Sequence, residues 1–188
     1  SDKIKAEQER RNRDLRVQAH EKGLNQLAKN ELLTSGDIAT ALTEITKTAS
    51  VALNVNQVGV WFYYEDHSAI YCKCLYNSES NTFLEAADVA AEHFPRYFKA
   101  LDKDGVVAAY DTLNDPRTNE FKDYLVEFNI NSMLDIPISR SGKVIGVVCC
   151  EHTGEKRTWY PDEIATAKTI AEMVAVALEA SERHNALQ

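Results

Sequence analysis

Apolar residues at Ile38, Ala41, Leu42, Ile45, Ala49, Ala52 and Leu53 recur every three or four positions, which places them on one face of an amphipathic helix. Thr34-Ser35-Gly36-Asp37 precedes it and supplies a break with cap-forming oxygens. The period then changes. Gln57 to Tyr64 is dense in β-branched and aromatic residues, and Ser68 to Tyr76 alternates with Ile70, Cys72, Cys74 and Tyr76 on one side, so the two predict a hairpin turned at Glu65-Asp66-His67. Ser132 to Ile138 and Lys143 to Glu151 predict a second hairpin around Ser139-Arg140-Ser141-Gly142. Pro137 lacks an N–H to give, which sends its strand toward a sheet edge. The last element opens at Pro161 with Asp162 and Glu163 in its first turn, and an apolar stripe of Ala167, Ile170, Ala171, Val174, Ala175 and Leu178 carries it to about residue 184.

Two regions are less regular. Residues 1–33 contain no proline, and only Gly23 interrupts good helix formers, so one long helix is predicted there. Its first 22 residues carry seven basic and five acidic side chains and few apolar ones, so it reads as solvated or as pairing with a second copy. Between 77 and 130 the sequence predicts a polar loop (77–81), a short helix near 86–93, the aromatic run Phe94-Pro95-Arg96-Tyr97-Phe98, a brief strand at 106–110, a turn over 111–118 and a helix over 119–128.

The chain has 188 residues, 44% of them hydrophobic, enough for one domain with a helical extension. A net charge of −8 argues against binding nucleic acid through its phosphates, and no apolar run approaches the roughly 20 residues that span a bilayer. Without a basic-then-apolar leader, the expected place is the cytoplasm, with no direct membrane contact. Four cysteines, Cys72, Cys74, Cys149 and Cys150, are too few for a secreted disulfide framework.

The order helix, hairpin, irregular middle, hairpin, long helix resembles a GAF domain over roughly residues 35 to 180. The resemblance is carried by Asp115-Pro116-Arg117-Thr118, by Met133-Leu134-Asp135-Ile136-Pro137-Ile138, by Gly142 with Gly146-Val147-Val148-Cys149-Cys150-Glu151-His152, and by Arg157-Thr158-Trp159-Tyr160-Pro161-Asp162-Glu163. It is similar to the GAF domains that precede diguanylate cyclase or histidine kinase output domains. The resemblance implies an α+β fold: a sheet of about six antiparallel strands, terminal helices on one face, a ligand pocket under the irregular middle on the other, and homodimerisation through the terminal helices. The expected division is a connector helix over 1–33, the GAF domain over 34–180, and a helix end over 181–188 that leads to an output domain.

The motifs favour sensing over catalysis. Cys149 and Cys150 are adjacent in a strand and face opposite sides, whereas Cys72 and Cys74 share a side. The sheet order implied by the resemblance puts the two pairs about 9.6 Å apart, beyond disulfide reach, so all four are expected to be packing residues. Glu151 and His152 are expected to anchor the turn at Thr153-Gly154, and Asp135 to pair with Arg117 or His152. A covalent bilin needs a Cys-His pair, and cyclic-nucleotide GAF domains carry an Asn-Lys signature; both are missing here. Phosphate-cradling glycine loops and hydrolase motifs are missing too. The candidate ligand contacts are Phe94, Tyr97, Phe98, Tyr110, Phe121 and Tyr124 over the pocket, with Asp111, Asp115, Arg117 and Asp135 as polar groups. No catalytic residue, metal or cofactor is expected, and the partner is an unidentified small molecule. A structural dimerisation module without ligand is one alternative, and a redox enzyme of the methionine-sulfoxide-reducing GAF type is another.

Overall fold

The computed structural model describes residues 1–188. Helix α1 (Asp2–Ala28) is followed by a 3-10 turn (Glu31–Thr34) and helix α2 (Ile38–Leu53). Asp37 caps α2 by accepting from the Thr40 N–H, and Asn54 closes it in the left-handed conformation. The first hairpin is β1 (Gln57–Tyr63) and β2 (Ala69–Asn77), followed by the two-residue strands β3 (Thr82–Phe83) and β4 (Val89–Ala90), both paired to β2. Helix α3 (Pro95–Lys103), strand β5 (Val107–Ala109) and helix α4 (Lys122–Glu127) make up the middle. The second hairpin, β6 (Ile130–Arg140) and β7 (Lys143–Thr153), leads to helix α5 (Pro161–Ala186). Ser141 and Gly142 both take positive φ at the turn, where the strand twist requires it.

The sheet runs β3-β2-β1-β7-β6-β5 with β4 also on β2, and every pairing is antiparallel. The strands bury both faces, and alternation divides them. Val58, Val60, Phe62, Leu134, Ile136, Val148 and Cys150 pack under α2 and α5, whereas Trp61, Val147 and Cys149 face α3 and the middle segment. Arg157 buckles the helix side together. It donates to the Leu53 and Asn54 carbonyls at the end of α2, pairs with the buried Glu163 at the start of α5, and lies over the Trp159 ring.

Several expectations change. The helix over 1–33 ends at Ala28, and Gly23 does not interrupt it. Gly23 is where α1 crosses α2, and a Cβ there would stand 2.8 Å from the Ala52 Cβ. The helix expected near 86–93 is an irregular segment over 84–88, then β4 and a 3-10 turn over Ala91–His93. Cys72 and Cys74 do not share a face. The β1–β2 register slips so that Val60 pairs with Cys74 and Trp61 with Cys72, leaving Lys73 as an extra residue. Cys74 therefore joins the helix side, within 3.6 Å of the Thr46 hydroxyl, and Cys72 the other side. Pro137 lies in the penultimate strand, but β5 covers only Met133 to Asp135 of β6, so beyond that point β6 is a free edge.

Candidate functional site

The face of the sheet opposite α2 and α5 encloses a cavity of about 420 Å³. Trp61, Cys149 and Glu151 line it from β1 and β7, Met133 and Asp135 from β6, Phe94 and Tyr97 from α3 and its approach, and Phe121, Tyr124 and Phe128 from the α4 region. Gly59 makes room for the indole, because a Cβ there would meet Trp61 Nε1 at 2.8 Å. The exposed strap Leu84 to Asp88, tied by the Leu84 N–H to the Leu75 carbonyl and by the Tyr64 hydroxyl to Asp88, forms the outer wall.

Two buried carboxyls mark the floor. Asp135, 1% exposed, accepts from the Tyr97 hydroxyl and the Cys149 thiol on Oδ2, while its Oδ1 has no hydrogen-bond partner. Glu151 accepts from the Tyr124 hydroxyl at 2.8 Å and from Gln57 Nε2 at 2.9 Å. The register pairs Asp135 with Cys149 and Met133 with Glu151, so the carboxyls are diagonal neighbours on one face. Burial without a cation pushes Asp135 up to about 7; burial, and then the charge of Asp135, push Glu151 up to about 8. Each covering helix is thus pinned to the floor by one tyrosine, α3 by Tyr97 and α4 by Tyr124.

The expected partners of Asp135, Arg117 and His152, do not reach it. Arg117 pairs with Asp115 at 2.7 Å and donates to the Ala108 carbonyl, and the His152 Nδ1 is buried without a partner. Glu151 does not anchor the Thr153-Gly154 turn; Asn56 and Asn131 hold it instead. Of the ten candidate contacts, Phe94, Tyr97, Phe121, Tyr124 and Asp135 line the cavity. Phe98 is buried beside it against Tyr63 and Tyr97, and Tyr110 is exposed. Asp111 pairs with Lys156 at 2.9 Å. Asp115 and Arg117 belong to a turn that secures β5 and the cover, in which Thr118 donates to the Thr112 carbonyl and Thr112 to that of Ile130. Burial raises all four thiols above the ordinary cysteine range, Cys72 to about 11.

The family model for the GAF domain matches residues 37–178. The chain belongs to the GAF domain family. Among solved structures, this GAF domain is similar to that of a phosphoenolpyruvate-protein phosphotransferase from Coxiella burnetii (TM-score 0.70, 17% identity, 90% of this chain and 98% of that one). It is also similar to the phycoerythrobilin-bound GAF domain of a cyanobacterial phytochrome (0.73, 18%, 88% and 97%). A third is the free methionine-R-sulfoxide reductase of Neisseria meningitidis in complex with its substrate (0.66, 14%, 91% and 92%). At these identities the likeness is one of fold. No curated protein matches the sequence. The family is one of ligand-binding sensory domains, and the α+β architecture matches its solved members. No helix is long and apolar enough to cross a membrane.

Proposed function

We propose that this GAF domain is a non-catalytic sensor that holds a small molecule in the 420 Å³ cavity and reports occupancy through its terminal helices to a signalling output such as a diguanylate cyclase or histidine kinase. The observation that carries this reading is the two-faced strand. Cys149 lines the cavity while Cys150 packs under the helices, and Trp61 and Phe62 divide in the same way. A ligand that displaces β1 or β7 therefore displaces residues on which α2 and α5 rest, and a coupling of about 1–3 kcal/mol is typical of such links. Protonated thiols on strands, rather than thiolates on mobile loops, support sensing over sulfoxide reduction. A homodimer through the terminal helices is part of the proposal, supported by Ile4, Leu15 and Val176, which α1 and α5 leave exposed.

Amide hydrogen exchange, read with and without a small molecule that raises the melting temperature, tests the coupling. Slower exchange in α5 and at the α1–α2 crossing is expected, and protection confined to the cavity wall would overturn it. Light scattering checks the dimer, with twice the chain mass expected.

A further inference from the structure

The geometry points to a small organic cation, a protonated amine or amidine on an aryl or alkyl body, as the ligand class of the cavity; this rests on the small-molecule reading above. Glu85, Asp88, Asp135 and Glu151 all line the cavity, and no lysine, arginine or histidine does. An anionic ligand would meet two exposed carboxyls on the strap, two buried ones on the floor where water screens poorly, and no opposite charge.

The floor also leaves one buried carboxyl oxygen without a partner. Asp135 is 1% exposed, borders the cavity and leaves Oδ1 without a partner, whereas a buried carboxyl oxygen is ordinarily satisfied. Once that carboxyl is ionised, a cationic donor on the ligand satisfies it. Tyr97, Cys149, Tyr124 and Gln57 are the groups that face the two carboxyls, and none carries positive charge. The remaining wall includes Trp61, Phe94, Phe121 and Phe128, whose ring faces suit both an apolar body and a cation.

Binding then becomes an exchange of charge. With Asp135 near 7 and Glu151 near 8, the empty floor keeps a proton at neutral pH. An arriving ammonium stabilises the ionised carboxylate, and the proton held on the carboxyl oxygen passes to the buffer. Affinity rises with pH by up to about tenfold per unit for each proton released, until the ligand amine itself loses its charge.

Titration calorimetry of the full chain at pH 7.5 with 2-phenylethylammonium, 2-phenylethanol and 3-phenylpropanoate tests the class, with phosphate and HEPES buffers, neither of them a simple cation, reporting proton release. The ammonium is expected to bind at least tenfold tighter than the alcohol, to release a proton, and to lose at least tenfold in Asp135→Asn while the alcohol is unchanged. Glu151→Gln gives the same comparison if Asp135→Asn does not fold. Equal or tighter binding of the alcohol or the propanoate overturns the cation class and leaves a small-molecule cavity standing. Binding of none of the three overturns the class too, and the sensor reading then stands or falls on its own exchange experiment.

Discussion

Asp135 and Glu151 stand at about 7 and 8 when folded, against ordinary values of 3.8 and 4.5, so the native state holds protons that the unfolded chain has lost. Stability from these groups is fully present below about pH 4 and is lost as pH rises through 7 and 8. Burial lowers His20 and His152, which act in the opposite direction, but only below their ordinary 6.5, so between pH 7 and 8 the carboxyls dominate. About one proton is at stake there, or about 1.4 kcal/mol per pH unit. Differential scanning calorimetry should show the melting temperature falling by roughly 3–6 °C from pH 7 to 8, and Asp135→Asn, which keeps the shape of the protonated acid, should flatten that fall. At Arg157 the expected effect is larger. Arg157→Ala leaves the carboxylate of Glu163, 1% exposed, without its cation and should cost about 3–5 kcal/mol, read as a lower denaturant midpoint.

Among the elements, those with a long apolar period were legible in the sequence. The stripes of α2 and α5 and the runs of β1, β6 and β7 gave their own ends to within a few residues. The region 77–128 was less so, because β3 and β4 are two residues each and α3 takes its N-terminal partner from afar: the Glu120 carboxylate accepts the Arg96 and Tyr97 N–H groups. The site divides likewise. Phe94, Tyr97, Phe121 and Tyr124 were legible as an aromatic cluster, and Asp135 as a carboxyl in an apolar strand. Trp61, Gln57 and Glu151 were missed as site residues because alternation gives two faces without saying which one is hollow; Glu151 shares parity with Cys149 and could have been paired with Asp135 once the hairpin register was set. Lys73 had no signal, since the slip it creates is visible only against β1. Thiol titration of the native chain should find Cys149 and Cys150 unreactive and Cys72 and Cys74 slow, with all four reacting in denaturant. Rapid reaction of Cys149 would contradict the packed strand.

Across the whole molecule, α1 and α5 lie side by side in the same direction. Arg16 grips Asp162 through two hydrogen bonds of 3.1–3.2 Å and lies over the Tyr160 ring; Leu27 and Met173 share a groove; Gly36 sits against His184. Residues 1–15 are exposed, so α1 extends about 22 Å past its first contact with α5. Paired through Ile4 and Leu15 in the proposed dimer, the Arg10 to Arg13 stretch should resist limited trypsin digestion, and light scattering after forced cleavage there should find a single chain mass in place of twice that mass.

That shared direction gives the molecule an entrance and an exit. The first turn of α1 stands off one pole and the last turn of α5 points away from the other, so segments joined at the two ends would be held apart by the full length of the body. Joined in that way, such a unit would sit in series along a rod, like a coupling between two shafts, and a twist introduced at its waist would be felt as a change in phase between the shaft that enters and the shaft that leaves.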